Sequence, residues 1–231
     1  MKISFITTTW SQNDFRSEIL RKSLESAIET TKHLPIEFIV FDNGSNLADS
    51  QYLLNLCHEG KIHFYTRSAA NLYFGFGRNV GRDIACGDYL VFSDNDIEYS
   101  PGWLDKCIKI LEKYDGKVAV TPLKTDRIHR NDRQWTNVYE LGDEKFPGNM
   151  RAGSNSWVMR TSDFDKVGKF RNHRIAGTKW TDAFVRAGFT MITMENEPLA
   201  KDLGFKKGYD LNMEVEIKRK FANREELIIN S

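Results

Sequence analysis

The chain has 231 residues, a mass of 26.7 kDa and a formal net charge of +1 at pH 7. This length suits one globular domain, and the balanced charge gives no overall attraction to nucleic acid or an anionic membrane. No apolar run approaches the roughly 18 to 20 residues that span a bilayer. Three widely spaced cysteines form neither a metal-thiolate site nor a disulfide framework. The composition therefore predicts a cytoplasmic protein without stable membrane insertion, which at most touches a membrane peripherally.

Short β-branched runs recur along the first half of the chain, and each has the length of a strand. Helical periodicity fills several gaps between them, as in residues 16–32 and 102–114. This alternation predicts an α/β domain with a mostly parallel sheet flanked by helices on both faces. The predicted strands are residues 2–10, 36–43, 61–67, 88–96 and 117–123.

After residue 123 the pattern becomes less regular. A helical stretch, "WTDAFVRAGF", and a strand-like run, "FTMITMEN", follow one another between residues 180 and 196. Residues 206–231 are rich in charge and predict an extension on the surface of the domain. No internal repeat is found, so we predict a single domain.

The fourth predicted strand runs into Asp94, Asn95 and Asp96. Ligands bind beyond the carboxyl ends of strands in sheets of this kind. Two carboxylates spaced by two residues point the same way along an extended chain and offer oxygen ligands to Mg²⁺ or Mn²⁺, whose other positions go to phosphate oxygens. A simple turn is the alternative, because Asp and Asn are favoured there. The apolar run before the triplet and the Pro101–Gly102 turn and helix after it favour the metal site.

Other polar groups follow neighbouring strands. Asp42 and Asn43 end the second predicted strand, where a carboxylate or amide can accept hydrogen bonds from a nucleobase or ribose, although Asn-Gly is also a turn signal. Arg78 and Asn79 lie in a glycine-rich stretch that we place before a helix, where backbone amides and a guanidinium meet phosphate. The glycine spacing, with Gly75, Gly77 and Gly81, matches neither a P-loop nor the dinucleotide fingerprint.

Five segments occur in an order that resembles the family 2 glycosyltransferases of the GT-A fold: "TTTW", "FDNGS", "NLYFGFGRNVG", "SDND" and "WTDAFVRAGF". The resemblance covers about residues 1–200 and implies one GT-A (Rossmann-like) domain over residues 1–205. Residues 1–120 would bind a nucleotide-sugar donor, and residues 121–205 would shape the acceptor site.

The resemblance also implies roles for particular residues. The nucleoside contacts fall to Thr8, Thr9, Asp42 and Asn43, and the lining of the donor pocket to Arg78 and Asn79. The metal, Mn²⁺ or Mg²⁺, is implied at the Asp94–Asn95–Asp96 triplet, with Asp96 as direct ligand and Asp94 contacting ribose or a metal-bound water.

Many relatives supply a late histidine to the metal, and here Lys201 and Asp202 stand in its place. Either Asp202 takes the ligand role or the triplet holds the metal alone. If Lys201 instead faces the diphosphate, its charge would partly replace the metal.

The acidic residue at the start of the helix ending in "RAGF" is the catalytic base in the family, which makes Asp182 the implied base of an inverting transfer. Thr181 stands where many relatives have Glu. The structural alternative for Asp182 is a helix N-cap. His173 precedes it in the implied acceptor loop and is a weaker candidate.

The implied activity is transfer of a sugar from a nucleotide diphosphate, most often UDP, to an acceptor hydroxyl. The acceptor stays open among a glycan, a lipid-linked glycan, a peptide and modified nucleic acid; the basic stretch 124–133 mildly favours a polyanion. One alternative is a nucleotidyltransferase, which usually has a glycine-rich loop and a lysine near the N-terminus that "ITTTWSQNDFR" lacks. The other is a catalytically silent module that binds a nucleotide sugar.

Overall fold

The computed structural model describes most of the chain, with four internal gaps and without the C-terminus. The basic stretch 124–133, His173 and the extension 206–231 lie outside the described residues. The described ranges are 1–123, 135–149, 156–171, 176–194 and 198–204.

Eleven strands occur in the described part of the chain. They are β1 (Ile3–Thr9), β2 (Ile36–Asp42), β3 (Phe64–Arg67), β4 (Tyr89–Ser93), β5 (Ile97–Tyr99), β6 (Val118–Thr121), β7 (Trp135–Leu141), β8 (Glu144–Asn149), β9 (Ser156–Arg160), β10 (Thr190–Thr193) and β11 (Ala200–Asp202).

Nine of these strands form one sheet in the order β3-β2-β1-β4-β9-β6-β10-β8-β7, and β5 pairs with β11 in a small second sheet. Only β9 and β8 oppose the common direction of the large sheet, because each is antiparallel to both of its neighbours. The mostly parallel sheet expected from the sequence is thus confirmed, with two reversed strands in its second half.

Within the described ranges, six helices cover the two faces of the sheet, as the sequence predicts. Buried side chains of α1, α2 and α4 pack on one face around Trp103. Side chains of α3, α5 and α6 pack on the other around Trp180. The helices are α1 (Asp14–Thr31), α2 (Leu47–His58), α3 (Tyr73–Ile84), α4 (Trp103–Lys113), α5 (Thr161–Val167) and α6 (Ala176–Arg186).

The glycine-rich stretch departs from the prediction. Helix α3 already begins at Tyr73, so its three glycines lie inside the helix and do not form a phosphate-binding loop before it. They allow a close approach instead: a Cβ on Gly77 would lie 2.5 Å from Thr8 Oγ1, and one on Gly81 would lie 2.4 Å from Ile6 Cγ2. Gly77 and Gly81, four residues apart, therefore lie on the face of α3 that packs directly on β1.

No helix in the described ranges is both long and apolar enough to cross a bilayer.

We expect Gly77→Ala to destabilise the fold despite the better helix propensity of alanine, because the new methyl overlaps Thr8 and Phe41, whose Cδ1 would lie 2.7 Å away. Overpacking of this kind costs about 1 to 3 kcal/mol. Urea unfolding measures the loss. Gly116→Ala is the control, since a Cβ there meets nothing within 4 Å. Equal stability of the two variants would contradict the packing role of Gly77.

Candidate functional site

Strands β1, β2 and β4 run parallel and end at the same edge of the sheet. In the register, Thr9 lies opposite Asp42 and Thr7 lies opposite Ser93, directly before the carboxylate triplet. The polar groups that the sequence places after these strands therefore lie together at this edge, with the first turns of α1 and α3, beside the crevice in which sheets of this kind bind ligands.

Asp42 is fully buried at this edge and hydrogen-bonded within the protein. One carboxylate oxygen accepts the backbone N–H of Ser45 at 2.7 Å, and the other accepts Ser50 Oγ at 2.6 Å, Tyr65 Oη at 3.0 Å and Arg67 Nε at 3.2 Å. Burial, and then the charge of Asp42, raises the pKa of Tyr65 to about 12. Asp42 thus organises the loop after β2, and both of its carboxylate oxygens are used within the protein.

Asn43 connects β2 to the start of α3. Its side-chain oxygen accepts the backbone N–H of Leu72 at 2.7 Å, and its Nδ2 donates to Asn71 Oδ1 at 2.8 Å. Tyr73, the first residue of α3, has a φ of +67°, which is unfavourable for a side chain with Cβ. Thr8 Oγ1 lies 3.4 Å from the Phe74 carbonyl oxygen. These bonds fix a strained helix start beside the crevice, a feature typical of binding sites.

Asn79 uses its amide on the backbone of another segment. Its Nδ2 donates to the Phe170 carbonyl at 2.7 Å, and its Oδ1 accepts the Phe170 N–H at 2.9 Å. This pair of bonds fastens the segment after α5 to α3. The side chain predicted to line the donor pocket therefore positions Phe170 instead of pointing at the carboxylate triplet.

Arg78 is the buried ionic centre of the site. Only 1% of its side chain is exposed, and its Nη2 donates to Asp94 Oδ1 at 2.7 Å. Burial lowers the pKa of this guanidinium and the charge of Asp94 opposes the shift; an arginine stays protonated under both influences. Aromatic rings lie 4.9 to 5.9 Å from its guanidinium carbon, those of Phe74, Phe92, Trp157 and Phe170.

Asp96, the other carboxylate of the triplet, pairs with a residue of α1. Arg16 Nη1 lies 3.3 Å from Asp96 Oδ2, and both side chains are more than four-fifths buried. Between the two carboxylates, Asn95 has a buried Nδ2 atom without a hydrogen-bond partner among the described residues. The triplet is therefore an ordered turn, and each of its carboxylates has a cationic neighbour.

The late segment with Lys201 and Asp202 lies next to this turn. Asp202 faces Ile97 in the β5–β11 pair, and its Oδ1 accepts the Gly204 N–H at 2.9 Å. Lys201 pairs with Glu98 at 3.9 Å and is mostly exposed. The segment thus approaches the triplet as the resemblance implies, although Lys201 is directed to Glu98.

The carboxylates near the triplet suit a metal ion only if a bound ligand supplies some of its coordination positions. Within the described residues no three His, Cys, Asp or Glu side chains are close enough to hold an ion, so Asp94, Asp96 and Asp202 do not assemble a closed cage. Mg²⁺ is usually bound by one or two carboxylates, with substrate phosphates and water in the remaining positions. The partly exposed Asp94 and Asp96 suit that arrangement.

Asp182 lies in the interior of α6, the seventh residue of the helix. The neighbouring Thr181 hydroxyl donates to the Gly177 carbonyl at 2.9 Å, as in a helix interior. The N-cap alternative for Asp182 is therefore wrong, and the helix start that the resemblance implied for this residue lies about two turns earlier.

A cavity of about 260 Å³ opens around Asp182 and is strongly basic. Lys169 is neutralised by Asp83 at 2.6 Å. The other three cations, and Asp182 itself, form no ion pair with any described residue, so an excess of positive charge remains. None of the residues after β1, β2 and β4 contributes to the lining, which consists of Lys169, Arg171, Lys179, Trp180, Asp182, Ala183 and Arg186.

Reasoning from the sequence missed Arg16. The available signal was a cation in the first turn of a helix, where the helix dipole disfavours positive charge unless an anion lies nearby.

The sequence matches the family model described as glycosyl transferase family 2 over residues 4–172. A structure of GalNAc-T7 with UDP, GalNAc and Mn²⁺ is similar with a TM-score of 0.66 at 12% identity, covering 88% of this chain and 44% of that chain. The structure of S. aureus TarS has a TM-score of 0.62 at 14% identity, and the match covers 87% of this chain and 36% of that chain. The structure of S. aureus TarS 1-349 has a TM-score of 0.61 at 15% identity, and the match covers 87% of this chain and 60% of that chain. No curated protein sequence matches.

At these identities the structural likeness concerns the fold, and it confirms the GT-A architecture expected from the sequence. The chain spans between 36% and 60% of the length of the three structures.

The burial of Arg78 predicts strong coupling with Asp94. Asp94→Asn leaves a buried guanidinium without its counter-charge and is expected to lower the free energy of unfolding by about 3 kcal/mol or more. Arg78→Met combined with Asp94→Asn should be less destabilising than the sum of the single changes, with a coupling energy of about 1 to 3 kcal/mol. Urea unfolding of the four proteins measures this coupling.

The control cycle uses Arg82 of α3 and Asp165 of α5, a pair at the surface whose contact is 2.7 Å and whose side chains are 20% and 52% exposed. Exposed pairs contribute less than about 1 kcal/mol. A coupling for Arg78 and Asp94 no larger than that of the control would refute the buried-pair role.

Proposed function

Because the chain belongs to glycosyl transferase family 2, we propose that it transfers a sugar from a nucleotide diphosphate donor, a UDP-sugar, to an acceptor hydroxyl. The observation that carries this proposal is the ordered triplet of Asp94, Asn95 and Asp96 at the carboxyl edge of the sheet, where α/β sheets bind ligands. The similar GalNAc-T7 structure was determined with UDP and Mn²⁺, which supports the choice of donor and of a divalent metal.

In the proposed reaction, Asp96 would hold the metal and Asp94 would contact ribose or a metal-bound water. The buried Arg78 fixes Asp94 in place, so that the turn is in position before the donor binds. When bound, a divalent cation offsets the negative charge that develops on the departing diphosphate. Gly204, two residues after Asp202, lies directly against the Asp96 carboxylate.

We assign the acceptor to the basic cavity around Asp182. In an inverting transfer a carboxylate accepts the proton of the attacking hydroxyl, and Asp182 has no internal partner in the described structure that would compete for it. Arg171, Lys179 and Arg186, which form no ion pair within the described ranges, favour an acceptor that carries phosphate or another negatively charged group.

The alternative of a nucleotidyltransferase finds no support in the family match. A catalytically silent module would bind the nucleotide sugar without transferring the sugar. The binding and transfer experiments below therefore distinguish it from an enzyme.

Thermal unfolding in the presence of UDP, GDP, CMP or dTDP, each with and without Mn²⁺, tests the donor site. A nucleotide at about one hundred times its Kd should raise the Tm by roughly 5 to 10 °C, because it binds only the native state. We expect the largest shift with UDP and Mn²⁺, its loss in Asp96→Ala, and its retention in Asp115→Ala, an exposed loop control. Absence of a shift with every nucleotide would overturn the proposed function.

The acceptor assignment is tested on an array of neutral and phosphorylated glycans. Asp182→Asn should lower kcat by about 100-fold or more, the size of a general-base effect, while the UDP-dependent Tm shift remains. Lys179→Glu should raise the KM for a charged acceptor without changing that shift. Lys109→Glu makes the same charge change at an exposed position of α4 and should leave kcat and KM unaltered. A silent binding module would show no transfer in any variant.

A further inference from the structure

Arg16 lies in the first turn of α1, at the edge of the crevice. Asn13 caps this helix: its side-chain oxygen accepts the Arg16 N–H at 2.9 Å, which fixes the backbone that carries the arginine. A cation near a helix N-terminus is electrostatically unfavourable, typically by a few tenths of a kcal/mol. A nearby anion would offset this unfavourable interaction of the Arg16 side chain.

In this structure that anion is Asp96. Arg16 Nη1 lies 3.3 Å from Asp96 Oδ2, with 18% and 17% of the two side chains exposed. A Cβ on Gly204 would lie 2.3 Å from the same carboxylate oxygen and 3.5 Å from Arg16 Nη1. The glycine thus lets a third segment close directly over the pair, which excludes much of the water around it.

A guanidinium and a divalent cation compete for the same carboxylate oxygen, because both carry positive charge and both need its lone pairs. A diphosphate offers a guanidinium a second anionic partner, one that matches its planar fork of donors. The backbone N–H groups of the first turn of α1 favour an anion at the same place.

We propose that Arg16 neutralises Asp96 in the ligand-free protein and passes to the diphosphate of the donor when the donor and metal bind. Arg16 is then a diphosphate-binding residue and at the same time the competitor of the metal. This inference rests on the proposed function, since it requires a nucleotide diphosphate in the crevice.

Two effects of opposite sign distinguish this role from a structural one. In Arg16→Gln, Mn²⁺ alone should bind more tightly, with a Kd about two- to fivefold lower, which corresponds to the loss of one partly exposed ion pair. UDP without metal should bind about tenfold more weakly, because a charge-assisted contact to phosphate is lost. Titration followed by Mn²⁺ paramagnetic resonance and calorimetry with UDP measure the two constants.

Lys22→Gln is the matched control, since it removes one positive charge from the same helix at the exposed Lys22–Glu98 pair. It should change neither constant. Arg16→Lys keeps the charge without the planar fork, so we expect nearly unchanged Mn²⁺ binding and an intermediate UDP affinity. Thermal unfolding checks that all variants are folded.

The outcomes separate this inference from the proposed function. If the wild type binds neither UDP nor Mn²⁺, the proposed function fails. If it binds both, an unchanged Mn²⁺ affinity in Arg16→Gln overturns the competition, and an unchanged UDP affinity overturns the transfer to the diphosphate. In either of these cases the proposed function stands.

Discussion

The fold around the crevice depends on the burial of one guanidinium. Removing a charge from water is costly, and Arg78 is compensated by a 2.7 Å contact to Asp94 and by four aromatic faces. Those rings come from α3, β4, β9 and the segment after α5, so the charge ties both halves of the sheet together. The carboxylate turn after β4 is therefore attached to the aromatic cluster that surrounds Arg78.

Much of this architecture was predictable from one sequence, because strands buried on both faces and amphipathic helices have readable periods. The position of the carboxylate triplet was predictable because it comes directly after the apolar run that forms β4. The start of α3 was not predictable in this way, because Gly75, Gly77 and Gly81 are typical of a loop. Only their spacing indicates one helix face against β1. The roles of Asp42 and Asn79 were also hidden, since their partners, Arg67 and Phe170 among them, come from distant segments.

Two regions of the site differ in their electrostatics. At the triplet each carboxylate faces an arginine, so the local charge is nearly balanced. Around Asp182 the cations exceed the carboxylates. The sequence shows the α6 part of this cavity as a polar helix face, but Lys169 and Arg171 reach it from the segment before the helix, which no periodicity reveals.

The insertion of β9 between β4 and β6 also affects how the chain can fold. Residues 1–120 contain most of the residues proposed to bind the donor, yet in the sheet β4 joins β6 only through β9. During synthesis β4 therefore presents an unpaired edge until Ser156–Arg160 has left the ribosome. Trp157, one of the rings around Arg78, arrives with the same strand. The proposed donor side of the crevice, although encoded first, is completed only in a late step of folding, after a long loop has closed.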